Sequence, residues 1–349
     1  MVKKNLYIDI SWIDDHLSGG ARFSVENILK SIIFNKKFKK FNIIFILNNN
    51  ILAKYHFLNN FKKIFLTEKK YLNFIIRWFI LFLLYKKEKQ IYFCPNIYSP
   101  IFKFNFKIIN LFHDAQWTKF PNNFSILRKY WIKFNIFVCK YKSDKIIFTS
   151  NTLKKDLLEK FNFKNKIYVI YLPFFQQKIK LKKRFNIKHN SFIVCISSRL
   201  PHKNLETIEK LFLKYKHQIK EKLIIAGIGK DINKKNSNKI KYLNFIDEEK
   251  KNWLIKNSKC VLLPSLYEGF GMVAIETIIN GGRAVATNLG IYKELVGNNI
   301  IYVSSAQNEE KWLEKIQSLK KNKKINKKKI LNKFSHKNIS DKYFRCIAN

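Results

Sequence analysis

Cysteine is scarce and scattered in this sequence of 349 residues. The five cysteines stand far apart, with no CxxC pair and no Cys/His cluster. This spacing excludes a zinc-binding motif and a dense disulfide framework. An odd number of cysteines with apolar neighbours is typical of reduced thiols in a core, so we expect a reducing compartment.

Long apolar runs are also missing. The longest such segment, residues 71–85, is shorter than the ~20 residues that a membrane-spanning helix needs and carries Arg77 in its middle. We therefore expect no spanning helix. The start of the chain, MVKKNLYIDI, enters a strand-like run at once, so we also expect no secretion signal. Two interpretations of residues 71–85 stay open: burial against a sheet, or a Lys-flanked helix at an anionic membrane surface.

Acidic residues are few. The chain has 24 Asp and Glu against 68 Lys and Arg, a formal net charge of +44. Such an excess is typical of proteins with an anionic partner, such as nucleic acid, a phospholipid surface or a phosphorylated substrate. Only seven of the basic residues are arginine, and the lysine excess accompanies the Asn, Ile, Phe and Tyr that AT-rich codons supply. Codon composition therefore explains much of the charge.

Apolar residues are plentiful and regularly placed. They make up 47% of the chain, which excludes long disorder. Short apolar runs alternate with helical patterns, which is typical of βα units on a parallel sheet. Strands are predicted at residues 6–10, 42–47, 91–94, 107–112, 145–149, 167–171, 192–197, 222–226, 240–243, 260–263 and 283–287.

The length exceeds what one core usually organises, and the strand pattern restarts after Pro173. We therefore predict an α/β protein with two doubly wound domains, at residues 1–172 and 173–330. A Lys-rich, apolar-poor stretch places the linker near residues 171–188. The last segment, residues 331–349, is expected to be a helix that packs back on the first domain.

The most informative stretch is residues 265–276, SLYEGFGMVAIE, which follows a buried strand. A strand, a Gly-containing turn and a helix place main-chain N–H groups at the carboxyl edge of a sheet, where phosphates and hydroxyls bind. Glu268 lies in the turn and Glu276 in the helix, and carboxylates suit pairs of sugar hydroxyls. Alternatively, Glu268 only complements the helix dipole and Glu276 is a surface acid. Gly269 and Gly271 argue against this alternative, because a plain helix start does not need them.

This stretch, with its preceding proline and the small residues and KEL segment that follow, resembles the nucleotide-sugar motif of one enzyme family. That family is the retaining family-4 glycosyltransferases of the GT-B fold (glycosyl transferases group 1), in the mannosyltransferase-like branch. Other parts of the chain resemble the family in the same order, so the resemblance covers essentially the full length. These parts are SGGAR at residues 18–22, FHD at 112–114, SNTLKKDLLEKF at 150–161, SSRLPHKNL at 197–205 and LIIAGIG at 223–229.

The resemblance implies two Rossmann-like domains facing across a cleft, the first binding the acceptor and the second the nucleotide sugar. It implies retaining transfer of a hexose, with mannose from GDP-mannose favoured, to a lipid-linked or polysaccharide acceptor in surface glycan (lipopolysaccharide) biosynthesis. We expect no cofactor and no metal, because no DxD follows a strand and no His/Cys ligand spacing is present. A cytoplasmic enzyme in peripheral contact with the anionic inner face of the membrane is expected.

The resemblance also implies how the donor diphosphate is held. Lys203 and Arg199 would neutralise its charge, and Lys203 is the safer assignment because the spacing between them is one residue shorter than the usual family pattern. Gly19 and Gly20 would let backbone amides approach the phosphates. His202, beside Lys203, is interpreted as structural.

The remaining site residues follow from the same resemblance. Glu276 would hold the ribose, and Glu268 would face the transferred sugar. His113 would act with Glu268 in catalysis. The other expected contributors are Gly269, Phe270, Gly271 and Met272 around the donor sugar, with Asp114 and Asn204 supporting their neighbours.

Two other classes of function are alternatives to a glycosyltransferase. A basic nucleic-acid-binding protein depends on the net charge alone, since no helix-turn-helix, zinc or RNA-binding motif is found. A sugar phosphorylase or epimerase of the same fold would need a cofactor lysine site or other acid–base residues that the sequence does not indicate. We expect a nucleotide-sugar donor and a glycan or lipid-linked acceptor as partners, and no nucleic acid.

Overall fold

A computed structural model describes residues 3–13, 20–48, 55–67, 70–85, 90–175, 191–228, 236–319 and 326–349. The chain divides into two compact units. The first comprises Met1–Phe175 and Phe334–Asn349, and the second comprises Gln176–Lys333. Most of the linker expected near residues 171–188 lies outside the described residues.

The first unit is built on a parallel sheet. Its strands are β1 (Lys4–Asp9), β2 (Phe41–Asn48), β3 (Lys62–Leu66), β4 (Gln90–Cys94), β5 (Phe106–Phe112), β6 (Lys145–Phe148) and β7 (Lys166–Val169). Within the described residues they lie in the order β3-β2-β1-β4-β5-β6-β7, and all pairings are parallel. The strand order reverses between β1 and β4, so the connections that follow these two strands run in opposite directions. Doubly wound sheets usually bind ligands in the crevice that forms at such a point.

Helices connect these strands. They are α1 (Gly20–Phe34), α2 (Lys70–Leu83), α3 (Gln116–Lys119), α4 (Ile126–Lys142) and α5 (Asn151–Leu158), with 3₁₀ turns at Lys36–Lys40, His56–Leu58 and Pro121–Asn123. Two of them begin at a capping serine. Ser125 Oγ accepts the Arg128 N–H at 3.3 Å, and Ser150 Oγ accepts the Leu153 N–H at 3.0 Å. Each cap satisfies an N–H group that a helix start otherwise leaves unpaired.

The second unit repeats this plan. Its strands are β8 (Phe192–Ile196), β9 (Lys222–Ala226), β10 (Ile240–Leu243), β11 (Val261–Leu263), β12 (Ala284–Thr287) and β13 (Ile301–Val303). In the described part of this unit they form a parallel sheet of order β10-β9-β8-β11-β12-β13. Its helices are α6 (Leu205–Lys214), α7 (Glu248–Asn257), α8 (Met272–Ile279), α9 (Gly290–Val296), α10 (Glu309–Gln317) and α11 (Lys327–Phe334), and 3₁₀ turns lie at Pro201–Lys203 and Gly297–Asn299. The fully buried Trp312 of α10 belongs to the same core cluster as Phe212 of α6.

The last helix, α12 (His336–Ala348), belongs to the first unit. Asn35 Nδ2 donates to Ser340 Oγ at 3.0 Å and to Asp341 Oδ1 at 2.9 Å. The buried Lys145 of β6 donates to the Cys346 carbonyl at 2.6 Å, near the end of the helix where a positive charge is favourable. These contacts fix the middle and the C-terminal part of α12 to the unit.

The predicted architecture is confirmed, since both sheets are doubly wound, and each predicted strand overlaps an observed one. Two strands, β3 and β13, were not predicted. Both lie at a sheet edge and are short. An edge strand has one pairing neighbour and tolerates polar residues, so its apolar signal is weak.

Of the two interpretations of residues 71–85, burial against the sheet holds for only part of helix α2. Ile80 and Leu81 are buried, whereas Leu72, Ile75 and Phe79 are 44%, 51% and 47% exposed. Within the described residues, none of the helices has both the length and the apolar character needed to cross a membrane. The five cysteines are free and buried, and burial raises the pKa of Cys195 to about 12, as for an inert core thiol.

Candidate functional site

The candidate site in the second unit lies where β11 leads into α8. Gly271 precedes the helix with φ +70°, in the left-handed region that favours glycine. A Cβ at Gly271 would lie 2.8 Å from Tyr292 Cε1, so a side chain there would also displace that ring. The Ala274 N–H donates to the Gly271 carbonyl at 3.1 Å, but no side chain caps α8, so the N–H groups of Met272 and Val273 can bind an anion or a hydroxyl.

Lys203 and Glu268 meet beside this helix start. Lys203 Nζ lies 2.7 Å from Glu268 Oε1, and Ser265 Oγ donates to the same oxygen at 2.7 Å. The Leu266 N–H donates to the His202 carbonyl at 2.7 Å, which ties the loop after β11 to the turn that carries Lys203. The side chains of Lys203 and Glu268 are 19% and 18% exposed, so both are within reach of a ligand. A cation, a carboxylate and helix N–H groups therefore share one edge of the sheet.

Two buried side chains, Thr287 and Tyr292, lie next to Ser265 and Glu268. Thr287 Oγ1 donates to the Ser265 carbonyl at 2.6 Å, which fixes the residue whose hydroxyl holds Glu268. Burial, together with the negative charge of Glu268, raises the pKa of Tyr292 well above its usual range. Tyr292 therefore stays neutral and can act only through its hydroxyl and its ring.

His202 is buried beside Lys203. Burial and the neighbouring lysine charge lower the pKa of His202 to about 4, so the imidazole is neutral at pH 7. Its backbone carbonyl makes the contact that joins the two loops. This geometry fits the interpretation of His202 as structural.

Arg199 has a different partner from Lys203. Its Nη2 lies 2.9 Å from Glu209 Oε1, and the Tyr242 hydroxyl donates to the same oxygen at 3.0 Å. The structure thus pairs Arg199 with α6, and Lys203 with Glu268. The Arg199 side chain is 36% exposed, so part of it remains open to solvent.

Glu276 is buried rather than a surface acid. Lys251 Nζ lies 2.9 Å from Glu276 Oε1 and 2.8 Å from Glu248 Oε1. The Glu276 side chain is 4% exposed, and burial raises the pKa of this carboxyl although the charge of Lys251 opposes the rise. A ligand hydroxyl at Glu276 would have to share the carboxylate with Lys251.

Asn204 supports the turn that holds Lys203. It adopts a left-handed conformation, φ 52°, at the start of α6. Its Nδ2 donates to the Ala306 carbonyl at 2.9 Å, and its Oδ1 accepts from Thr207 Oγ1 at 2.8 Å. Near α8, Phe270 is buried, while Gly269 and Met272 are half-buried. The structure thus groups most of the residues predicted in this unit around one helix start.

In the first unit, His113 follows β5. His113 Nε2 lies 2.8 Å from the Pro95 carbonyl, which can only accept, so Nε2 carries the proton and Nδ1 is a bare acceptor. Nδ1 is buried with no partner among the described residues. Burial lowers the pKa of His113, so the ring is neutral at pH 7. The neighbouring Asp114 is exposed and accepts the Gln116 N–H at 3.2 Å.

Gly20 is the first residue of α1 and is exposed, with open space where a Cβ would lie. Gly19, predicted with it, lies outside the described residues. Near the end of β1 the buried Asp9 accepts from Ser11 N at 2.9 Å, from Ser11 Oγ at 2.6 Å and from the Tyr92 hydroxyl. This carboxylate fixes the loop after β1.

Four residues of these arrangements were not predicted as site residues: Ser265, Tyr292, Lys251 and Asp9. Ser265 lies inside the recognised motif, and the spacing to Glu268 could have indicated it. The other three reach their partners only through the fold. No group of three or more potential metal ligands occurs among the described residues.

The fold is that of the GT-B glycosyltransferases. The structure of HepE from Anabaena, in complex with UDP and glucose, matches with a TM-score of 0.71 at 13% identity, covering 99% of this chain and 100% of the other. Residues 177–337 match the family described as "Glycosyl transferases group 1". The second unit is therefore similar to this family over nearly its whole length, which is just under half of the chain.

Two curated relatives are glycosyltransferases by name. An uncharacterized glycosyltransferase of Methanocaldococcus jannaschii is 24% identical over 184 residues, 47% of each chain. The O-antigen chain mannosyltransferase RfbU of Salmonella typhimurium is 22% identical over 223 residues, 59% of each chain. The matched region thus spans about half the length of these relatives. None of these matches supports a nucleic-acid-binding protein.

Proposed function

We propose that this protein is a glycosyltransferase that moves a hexose from a nucleotide sugar to a lipid-linked or polysaccharide acceptor in surface glycan biosynthesis. The observation that carries the proposal is the meeting of Lys203 and Glu268 at the uncapped start of α8, inside the region similar to glycosyl transferases group 1. Mannose from GDP-mannose is the favoured donor, and the similarity to a protein named as a mannosyltransferase supports this choice.

The proposed chemistry follows from the charges at the site. When the glycosidic bond of the donor breaks, negative charge develops on the diphosphate, and a fixed cation with oriented N–H groups stabilises it. Lys203 supplies the cation, with Arg199 helping, and the start of α8 supplies N–H groups. Glu268, held by Ser265 in an orientation that exposes part of its carboxylate, accepts hydrogen bonds from the transferred sugar.

We further propose retention at the anomeric carbon, by a front-face substitution in which the leaving phosphate helps to remove the acceptor proton. The first unit binds the acceptor, and His113 contributes a neutral imidazole whose Nδ1 can accept a hydrogen bond from a sugar hydroxyl, while the proton of the acceptor goes to the leaving phosphate. Glu276 binds the ribose through the oxygen that Lys251 does not occupy. Gly19 and Gly20 bring backbone amides to the phosphates.

Peripheral contact with an anionic membrane completes the proposal, because a lipid-linked acceptor is presented at a bilayer surface. The enzyme would then act at the inner face of the cytoplasmic membrane. The formal net charge of +44 favours such a surface.

The donor can be identified with the purified full chain. Melting temperatures are measured with GDP, UDP, ADP and a single-stranded oligonucleotide, since a ligand that binds only the folded state raises the melting temperature. The matching nucleotide sugar is then incubated with candidate acceptors, and the anomeric configuration of the product is read by NMR. A shift with the oligonucleotide alone, or with none of the nucleotides, would contradict the proposal. An inverted product would remove the retaining mechanism only.

Metal independence is tested in the same assay. We expect glycosyl transfer to survive excess EDTA, because side-chain cations and helix N–H groups take the role that a divalent ion has in other folds. Loss of activity with EDTA that magnesium or manganese restores would show that Lys203 and α8 do not suffice to neutralise the diphosphate.

A further inference from the structure

The outward face of α4 is apolar. At about 100° per residue, its members fall in one stripe roughly 100° wide along the helix. They are Ile126, Leu127, Tyr130, Phe137 and Tyr141, which are 69%, 83%, 67%, 59% and 62% exposed. A helix on the surface of a globular domain normally presents polar residues at these positions.

The stripe has no role in the core of the first unit. The face of α4 that packs on the sheet is a separate one, formed by Ile132, Ile136, Val138 and Cys139. The helix therefore has two apolar faces on opposite sides, and only one of them is needed for folding. An exposed apolar patch of this kind is typical of an interaction surface.

Lysines line one edge of the stripe. By helical geometry Lys129, Lys133 and Lys140 fall side by side on one flank of it. Lys133 Nζ lies 5.9 Å from the ring centroid of Tyr130, and Lys140 Nζ lies 5.5 Å from that of Tyr141. The ammonium groups of Lys133 and Lys140 thus lie beside the exposed rings, so the lysines and the apolar stripe can contact the same partner.

Helix α2 extends this surface. Phe79 and Phe82 are 47% and 62% exposed, and their rings lie 5.2 Å from Phe102 and 5.6 Å from Phe104. Both helices pack on one core cluster, α2 through Ile80 and Leu81 and α4 through Trp131. They therefore cover the same face of the sheet, and their outward faces point to the same side.

We propose that the outward faces of α2 and α4, here called the lipid-facing surface, hold the first unit on an anionic phospholipid bilayer. The apolar side chains insert at the boundary between headgroups and acyl chains, and Lys129, Lys133 and Lys140 contact the lipid phosphates. The inference rests on the peripheral membrane contact proposed above and gives that contact a site. It involves neither donor nor acceptor, so it can fail while glycosyl transfer stands.

The chemistry of the surface favours a bilayer over other occupants. Ile126 and Leu127 are the most exposed of the large apolar residues of α4, and aliphatic side chains gain from an acyl layer but cannot stack on nucleic-acid bases. A second copy of the chain would bring a further formal charge of +44 and a second row of lysines to the contact. An anionic bilayer accepts both the apolar stripe and the lysines.

The test is flotation of the full-length protein with vesicles of phosphatidylcholine, with and without phosphatidylglycerol. We expect binding to the anionic vesicles that high salt weakens. The double variant Leu127→Gln/Phe137→Gln should lose binding by at least about ten-fold, because two large apolar side chains no longer enter the bilayer. The matched control is Leu213→Gln/Phe245→Gln, which removes the same two residue types, 56% and 57% exposed, from the second unit and should bind like the parent.

A second double variant, Lys129→Gln/Lys133→Gln, separates the two contributions. It should lose about ten-fold or more of its affinity for anionic vesicles and little of any affinity for neutral ones. Equal binding of the parent and the Leu127→Gln/Phe137→Gln variant would overturn the proposal. So would a loss of binding in the Leu213→Gln/Phe245→Gln control of the same size.

A measurement on the parent protein does not depend on the folding of any variant. Anionic vesicles should slow hydrogen exchange in peptides from residues 126–142 and leave peptides from α6 unchanged. No protection at α4 would overturn the proposal.

Light scattering should find a monomer, and a dimer that Leu127→Gln/Phe137→Gln dissociates would make the surface an interface between copies instead. An oligonucleotide that protects α4 where vesicles do not would likewise replace the lipid.

Discussion

Lys203 is the residue on which the proposed diphosphate contact depends. Its Nζ is 2.7 Å from Glu268 Oε1, so it already balances one charge, and a bound diphosphate would supply a larger one. Asn204 and the contact between Leu266 and His202 fix the turn that carries it. The amino group is therefore positioned before any ligand arrives, which lowers the entropy lost on binding.

Replacing Lys203 should affect phosphate recognition specifically. We expect Lys203→Ala to weaken binding of the nucleoside diphosphate and to lower activity by at least ten-fold, because a charge-assisted contact is worth ~1.5–3 kcal/mol. Isothermal titration with the diphosphate and with the bare nucleoside separates the phosphate contact from the rest of the site. If the affinity for both ligands fell equally, the lysine would support the loop and not the phosphates.

The two glutamates should behave differently. Glu276→Gln should weaken binding of the bare nucleoside diphosphate, because the amide presents a donor where the carboxylate accepts from the ribose, and because it no longer balances the charge of Lys251. Glu268→Gln should not weaken that binding, since the transferred sugar is absent from the bare nucleotide and Lys203 is released from its ion pair, but it should lower turnover. Titration and product assays at saturating donor measure the two effects.

A matched control exists for these glutamates. Glu221 pairs with Lys259 at 2.7 Å and is 16% exposed, close to the 18% of Glu268. Both residues of this pair precede strands, so they lie at the opposite edge of the sheet from the site. Glu221→Gln should change neither binding nor turnover. If Glu268→Gln and Glu276→Gln matched this control, the assignment of both glutamates would fail.

The start of α8 is the element on which the site is built, and its geometry requires Gly271. Gly271→Ala would introduce a left-handed alanine and a Cβ 2.8 Å from the Tyr292 ring. Gly281→Ala introduces the same kind of backbone strain, φ +77°, into open space and is the natural control. We expect Gly281→Ala to cost about 1–2 kcal/mol of unfolding free energy and Gly271→Ala about 1–3 kcal/mol more.

Ligand affinity separates the two glycines further. Gly271→Ala should also weaken nucleotide binding, because Tyr292 and the first N–H groups of α8 must shift, whereas Gly281→Ala should not. Urea unfolding and titration of each variant check both expectations. Equal unfolding free energies and equal affinities in the two variants would show that the contact with Tyr292 is easily relieved.

Local spacing explains which elements could be predicted. Residues 265–276 combine a strand end, two glycines and two acids within twelve positions, so the sequence alone indicated a loop and a helix start at a sheet edge. The Lys251–Glu276 pair joins α7 to α8 across a strand, and no local pattern points to it. Tyr292, on α9, reaches the site only because β12 lies beside β11. The roles assigned to the site residues in both units, from Lys203 and Glu268 to His113, all stay predictions.

Surface side chains set a second limit on prediction. A helical pattern reports how often apolar residues recur, but α4 and α2 each carry apolar residues on two faces, and the pattern does not say which face the sheet covers. The structure separates them, with Ile132 buried and Leu127 exposed. Residues 71–85 form an apolar run with few interruptions, which the sequence makes evident, whereas lysines separate the members of the stripe on α4 and obscure it.

At the scale of the whole molecule the excess of positive charge dominates. With 68 basic and 24 acidic residues, most lysines have no carboxylate available, and their mutual repulsion opposes folding. Salt shortens the Debye length from about 30 Å at 0.01 M to about 8 Å at 0.15 M, which screens this repulsion. Salt also weakens surface ion pairs, but basic residues far outnumber the carboxylates that could pair with them, and each surface ion pair adds little to the free energy of unfolding.

We therefore expect sodium chloride to raise the melting temperature of the free protein while it weakens binding to anionic vesicles. The two effects have opposite signs because one relieves repulsion between like charges and the other screens attraction between unlike ones. Lys203→Ala should show the same rise in melting temperature, since a general charge effect does not depend on an anion bound at one site. A rise that disappears in this variant would instead indicate specific anion binding beside Glu268, and a melting temperature that falls with salt would contradict the repulsion argument.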